Sequence, residues 1–353
     1  MNSSDMLLIY ASIASSLMII ASSLIRSHKR QEIKYPLSVD TEYVELDEIR
    51  KYLNTPLKSL VPDYGKLGKL IPVKLTVPLI PKELSNVWYC RKLGCGGWGC
   101  AYLCKDEKGN EVVFKVPKGL EGLIEGGEVP TVSIKAIKRI HKEVKIIAKL
   151  RHPNILGLLG YGLNTPILIY EFANFGSLYW QLSKGWKPSL RDVILIGMQV
   201  GDALRYIHGR GLVHGDIKPS NIFIKDGVVK VGDFSSIVKL ASQTTPQSSY
   251  GFTLGFRAPE QVFYDLRKLS SELGIESRID TYQLGNLLLY LLTGRSIDGE
   301  DITKSQIVNE VIKDVDYPPL RKVIIKALEP MPTKRPSCEE VVRRLLKIYY
   351  RLK

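Results

Sequence analysis

The chain has 353 residues, 44% of them hydrophobic, enough for a sizeable folded core plus an additional segment. Its formal net charge is +14, yet residues 1–80 hold only 10 Lys/Arg against 8 Asp/Glu, so the excess lies further along the chain. An anionic membrane surface or acidic substrates would suit that excess, as would an ordinary solvated lysine-rich face, and no nucleic-acid motif accompanies it.

Residues 6–25 are a stretch of 20 without a charge. At about 1.5 Å per residue such a helix measures roughly 30 Å, the thickness of a bilayer core. Asp5 precedes it and Arg26, His28, Lys29 and Arg30 follow. A cleavable signal peptide carries its basic residues in front, and the positive-inside rule puts the basic flank in the cytoplasm. Residues 1–30 are therefore expected to be a single-pass transmembrane anchor in the cell membrane. Its serines leave an interfacial helix or a cleaved leader as alternatives. Ala11, Ser12, Ser15 and Ser16 form a weak helix-pairing face that would allow self-association. Residues 31–86 read as a membrane-proximal linker, with one short helical candidate at 47–53 and extended apolar pieces such as 71–75. It is too apolar for free disorder, so part is expected to pack on the first folded part that follows, from about residue 87, and part to act as a stiff tether.

Leu93-Gly94-Cys95-Gly96-Gly97-Trp98-Gly99-Cys100-Ala101 is a glycine-rich loop. A hairpin signal at Lys108-Gly109-Asn110 and a β-rich run ending in Val113-Phe114-Lys115 follow it, the context in which such a loop cradles phosphates. Residues 118–135 contain Gly119, Gly122, Gly126 and Gly127 and read as a mobile insert. Residues 136–150 read as an amphipathic helix stopped at Arg151-His152-Pro153. Cys90, Cys95, Cys100 and Cys104 fit no C-x-x-C metal spacing, and alternation along two strands would point them to different places. Free thiols are expected, with Cys95 and Cys100 flanking the loop.

Val213-His214-Gly215-Asp216-Ile217-Lys218-Pro219-Ser220-Asn221 precedes Gly232-Asp233-Phe234-Ser235. Phosphoryl transfer to a hydroxyl needs a proton acceptor, positive charge at the moving phosphate and hard oxygen ligands for Mg²⁺. Asp216, Lys218, Asn221 and Asp233 supply those groups in that order. Ala258-Pro259-Glu260, Asp280-Thr281-Tyr282-Gln283 and Lys334-Arg335-Pro336 come later.

This ordered set, over about residues 88–350, resembles the eukaryotic-type serine/threonine protein kinases. The resemblance implies an α+β bilobal fold for residues 87–353. A small lobe of a five-stranded antiparallel sheet and one main helix would occupy about 87–172, a hinge about 171–176, and a large, mainly helical lobe about 177–353. It implies ATP and Mg²⁺, with Mn²⁺ as the alternative ion, and protein substrates that include the chain itself. Leu93, Gly94, Gly96 and Gly99 would cover the nucleotide, and Ala101, Val113 and Phe223 would sandwich the adenine. Tyr170 would guard the pocket behind it, and Glu171 and Ala173 would offer backbone groups to its edge. Lys115, held by Glu143, would bind the phosphates; Asn221 and Asp233 would hold the metal; Asp216 would accept the hydroxyl proton beside Lys218. His214 would stack in a column with Ile147, Leu158 and Phe234, Asp280 would brace the loop, and Arg335 would close an ion pair with Glu260. His152 and His208 read as packing or turn residues.

The chain departs from the family pattern at Gly215, which replaces the arginine before the catalytic aspartate, at Ser235, which replaces a glycine, and at Phe252. Gly215 and Ser235 keep a pseudokinase scaffold open as an alternative to an active enzyme, whereas Phe252 bears on peptide docking and leaves the chemistry intact. A small-molecule phosphotransferase fits less well, because the Ala258-Pro259-Glu260 segment serves peptide docking.

Overall fold

The computed structural model describes residues 46–62, 71–74, 87–96, 99–125, 144–161, 167–240, 255–303 and 305–352. All of them belong to one unit, Val44–Lys353. The expected membrane span at 6–25 and Glu143 lie outside the described residues. Among those described, no helix is long and apolar enough to cross a membrane.

The small lobe is an antiparallel sheet in the order β1-β2-β3-β4-β6-β5, where β1 is Ile71–Lys74, β2 Val87–Cys95, β3 Gly99–Asp106, β4 Glu111–Pro117, β5 Leu158–Tyr161 and β6 Leu168–Glu171. The five strands expected from the resemblance are β2 to β6. The sixth, β1, comes from the linker and pairs with β2 from Ile71 opposite Cys90 to Lys74 opposite Val87. The β3–β4 hairpin turns at Gly109, whose φ of 87° suits glycine, and the Asp106 carboxylate accepts the Asn110 N–H at 2.7 Å. Alternation on β3 and β4 sends Cys104, Tyr102, Cys100, Val112, Phe114 and Val116 to one face. Leu120 and Ile124 of the following segment cover that face.

That covering segment corrects one expectation. The first residues of the supposed mobile insert form a turn and a short helix, α1 (Gly122–Glu125). Its Glu125 accepts from Tyr102 Oη at 2.6 Å and Lys92 Nζ at 3.0 Å. The glycines permit the turn at Gly119, φ 86°, and burial of Leu120 and Ile124 then ties it down.

The large lobe is built around α3 (Leu190–His208), which follows α2 (Leu178–Ser183). A capping box starts α3: Ser189 Oγ accepts the Asp192 N–H while the Asp192 carboxylate accepts the Ser189 N–H. Beyond the short strands β7 (Leu212–Val213), β8 (Ile222–Lys225), β9 (Val228–Val231) and β10 (Val238–Lys239) come α4 (Pro259–Val262), α5 (Tyr264–Glu272), α6 (Arg278–Thr293), α7 (Ser305–Lys313), α8 (Pro318–Ala327) and α9 (Cys338–Arg351). Gly197 of α3 lets α6 and α9 approach, because a Cβ there would lie 2.8 Å from Leu288 and Leu345 side chains.

A second correction concerns the linker, expected in part to pack on the small lobe and in part to be a tether. β1 does join the small-lobe sheet, but residues 46–62 are built into the large lobe. Ile49, Leu53 and Leu57 are buried in the same cluster as α3 and α9. Backbone carbonyls of this strap are anchored by buried amides: Leu53 by Asn154 at 2.8 Å, Tyr52 and Thr55 by Gln199 at 2.8 and 2.9 Å, Val61 by Gln181 at 2.6 Å. Tyr52 packs edge-on against Tyr349, 5.0 Å between centroids, and Tyr350 Oη donates to Glu48.

Candidate active site

The glycine loop hangs from the ends of β2 and β3, whose register shifts between Lys92 and Gly94 and leaves Leu93 in a bulge. Gly99 is required by a close approach: a Cβ would sit 2.0 Å from Val116 O. At Gly94 and Gly96 a Cβ would meet nothing within 4 Å, so the backbone there faces open space. Gly96 N–H donates to Gly99 O at 2.8 Å and closes the stem.

Here the free-thiol expectation is overturned. Cys90 is bonded to Cys104 and Cys95 to Cys100. Alternation does send neighbours along one strand apart, but Cys90 stands opposite Cys104 and Cys95 opposite Cys100 across the β2–β3 ladder. Cross-strand partners share a face, and sequence spacing alone concealed the register.

Lys115 on β4 stands opposite Ala101 on one side and Leu168 on the other. Its Nζ lies 2.7 Å from Asp233 Oδ1. Asp233 follows β9 in the left-handed region, φ 57° and ψ 76°, aimed by a backbone conformation that asparagine and aspartate tolerate. Burial alone would raise its carboxyl pKa, but the Lys115 charge and hydrogen bonds from Lys115 and Ser235 bring it down to about 2. It is therefore ionised at neutral pH.

Asp216, Lys218 and Asn221 form one knot. Lys218 Nζ lies 2.7 Å from Asp216 Oδ2, and Asn221 Nδ2 donates to Asp216 O at 2.8 Å and to Oδ2 at 2.9 Å. Asp280 braces the loop, accepting the His214 N–H at 2.9 Å and the Gly215 N–H at 2.7 Å. His214 and Phe234 rings lie 5.1 Å apart, and Ile147 is buried in the same core as Phe234. The Glu260 carboxylate meets Arg335 at 2.6 and 3.1 Å, both fully buried. Val113, Tyr170, Ala173 and Phe223 share an apolar cluster beneath the sheet. The structure brings Lys115 to Asp233 and gathers Asp216, Lys218 and Asn221 on one loop, while Glu143, the expected partner of Lys115, lies outside the described residues.

The protein kinase domain family matches residues 89–346. The chain belongs to the protein kinase family. This kinase is 32% identical over 229 residues to an Aurora kinase of Dictyostelium discoideum, covering 64% of its own length and 55% of the relative's. It is 30% identical over 291 residues to the serine/threonine-protein kinase Pkn1 of Myxococcus xanthus, covering 77% and 39%, and 28% identical over 254 residues to the receptor-like kinase TMK2 of Arabidopsis thaliana, covering 68% and 26%. It is a kinase of the eukaryotic serine/threonine type. It spans about half or less of the length of each of these three relatives.

Several site-supporting contacts had no sequence signal. The Gly215 carbonyl accepts from Gln261 at 2.8 Å and Gln283 at 3.0 Å, and Gln283 Oε1 accepts the Ile217 N–H at 2.8 Å. Glu171, considered for its backbone, also uses its side chain: the carboxylate accepts the Gly157 N–H at 2.8 Å and Lys225 Nζ at 2.6 Å. Burial would raise its pKa, and these partners hold it below the usual range. His152 and His208, expected to be packing or turn residues, each face a carboxylate, Asp202 at 3.0 Å and Asp280 at 2.7 Å. Glutamine and histidine are too common for any of this to be read from spacing.

Proposed function

We propose that this kinase transfers the γ-phosphoryl group of ATP to serine or threonine hydroxyls of protein substrates while anchored to a membrane by residues 6–25. The observation that carries the catalytic reading is the Asp216–Lys218–Asn221 knot on one loop with the ionised Asp233 paired to Lys115. In this reading Asp216 receives the proton of the attacking hydroxyl, and Lys218 offsets charge developing near it. Lys115 orients the phosphates, and the open backbone at Gly94 and Gly96 leaves room for them.

Mg²⁺ fits the donor set. Among the described residues no group of three His, Cys, Asp or Glu could hold a metal alone. Asp233 and the Asn221 side-chain oxygen supply two hard oxygens, which is how Mg²⁺ binds when phosphates and water complete its shell. When bound, the ion neutralises charge on the transferring phosphate.

The pseudokinase alternative rests on Gly215 and Ser235. Against it, Ser235 bonds to Asp233 and helps keep that carboxylate ionised, and no metal ligand or proton acceptor is replaced. The test is incubation of the full-length chain with labelled ATP, Mg²⁺ and a generic basic protein. Label on serine or threonine supports the enzyme; nucleotide binding without label selects the pseudokinase. The anchor is tested separately in sealed cells, where protease added outside should spare everything after Arg26.

A further inference from the structure

We propose that the Cys95–Cys100 pair is a redox modification site that sets the nucleotide affinity of the kinase. The inference rests on the ATP-binding reading above. The two disulfides of β2 and β3 differ in one respect that decides their chemistry. Cys90 and Cys104 are both 0% exposed, with β1 paired to β2 at Cys90 and Leu120 and Ile124 packed in the same cluster. Cys100 is buried at 1% exposure, but Cys95 is exposed. A thiol in solution therefore reaches one sulfur of the second bridge and neither sulfur of the first.

Reduction follows from that asymmetry. A thiolate of a dithiol reductant attacks Cys95 Sγ, the Sγ–Sγ bond breaks, and Cys100 leaves as a thiolate that takes up a proton. The reductant's second thiol then displaces Cys95, which is protonated in turn. Two electrons pass from the dithiol to the cysteine pair, and the dithiol becomes a cyclic disulfide. A disulfide oxidant reverses each step.

The bridge joins the two strand ends that carry the glycine loop. Among the described residues nothing lies within 4 Å of where a Cβ would be at Gly94 or Gly96, so no side chain packs on that backbone. The stem is fixed by the end of the β2–β3 ladder, which pairs Gly94 with Ala101 and Cys95 with Cys100, by the Gly96 to Gly99 hydrogen bond at 2.8 Å and by the Cys95–Cys100 bond. Cutting the covalent tie returns backbone freedom to glycines that must be ordered again when a phosphate binds. The bridged form is thus the preorganised, tighter-binding form.

The experiment uses the full-length chain purified without reductant. Maleimide labelling with mass spectrometry should find Cys95 and Cys100 blocked before treatment and both labelled after a mild dithiol, with Cys90–Cys104 intact until denaturation. Calorimetric titration with a non-hydrolysable ATP analogue and Mg²⁺ should show Kd rising about tenfold on reduction, the order set by freeing one residue's backbone, and returning on reoxidation. The double variant Cys95→Ser/Cys100→Ser should hold the reduced value under both conditions. The reversible wild-type cycle gives the same answer if that variant does not fold. A free Cys95 thiol before reduction, release of both bridges at the same dose, or an unchanged Kd would overturn the proposal. No analogue binding in either form would sink the ATP reading and the affinity coupling with it, while the labelling would still show whether the exposed bridge is reducible.

Discussion

Lys115 Nζ and Asp233 Oδ1 lie 2.7 Å apart, joining a strand of the small-lobe sheet to the segment that follows β9 in the large lobe. The pair keeps Asp233 ionised, and that charge gives the sign of a pH effect. The Asp233 pKa is depressed to about 2 from an ordinary value of about 3.9. Its stabilising contribution is therefore fully present above about pH 4 and is lost as pH falls toward 2. Asp233→Asn should be less stable than wild type at pH 7, and the gap should close between about pH 4 and pH 2 in urea unfolding. A gap constant across that range would show that the pair does not contribute as an ion pair.

In the proposed mechanism Asp216 would act on the nucleophile and not on the nucleotide. Asp216→Asn should lower kcat by about 10²–10⁴-fold while leaving the Kd of an ATP analogue nearly unchanged. Lys115→Met should instead weaken nucleotide binding and positioning together. Equal turnover in wild type and Asp216→Asn would refute the assignment of the proton acceptor.

The strap at 46–62 makes a prediction about domain boundaries. A chain starting at residue 44 should fold, whereas one starting at 87 loses Ile49, Leu53 and Leu57 from the large-lobe core and the strap carbonyls to which Asn154, Gln181 and Gln199 donate. Leu53→Ala alone should cost about 2–5 kcal/mol. Cooperative unfolding of the 87–353 fragment at wild-type denaturant concentrations would show that the strap is dispensable.

Much of the catalytic arrangement was legible because short motifs fix both residue type and backbone path: Asp216 and Asn221 lie five residues apart on one loop, and Asp280 with Glu260–Arg335 completes its support. The strap was less legible. Its apolar residues Ile49, Leu53 and Leu57 do recur at four-residue spacing, but the composition says only that the segment is buried somewhere, and its partners are glutamines and an asparagine more than 90 residues away. The disulfides were misread because register is a property of two strands together. A shift of one residue between β2 and β3 would have separated all four sulfurs.

The Glu260–Arg335 pair is fully buried, and its energetics are asymmetric. Arg335→Ala strands a fully buried carboxylate and also removes donors to the Arg278 and Glu329 carbonyls. It should cost about 3–5 kcal/mol. Glu260→Gln/Arg335→Met, which strands no charge, should recover part of that loss in thermal unfolding; a double variant worse than the sum of its singles would contradict this account.

Gly215 bears on control. In kinases with arginine there, phosphate on the activation segment pairs with it and orders the loop. Here the residue has φ 79°, a region that favours glycine, and its backbone is held on both sides, the N–H by Asp280 and the carbonyl by Gln261 and Gln283. The Gly215 backbone is therefore held by side chains of the large lobe and not by a phosphate. The acceptors Ser242, Thr244, Thr245, Ser248 and Ser249 lie outside the described residues, and their modification is expected to tune docking only mildly. A variant with all five changed to alanine should keep activity of wild-type order. The segment before the kinase domain is the better lever, because residues 46–62 are built into the large lobe and β1 into the small-lobe sheet. Substituting Tyr52 with alanine, which removes its packing on Tyr349 but leaves the anchoring carbonyls, should change kcat more than the five-alanine variant does. A drop of about a hundredfold in the five-alanine variant, the loss expected if charge-assisted hydrogen bonds to a phosphate order the loop, beside an unchanged Tyr52→Ala, would show that control runs through the activation segment after all.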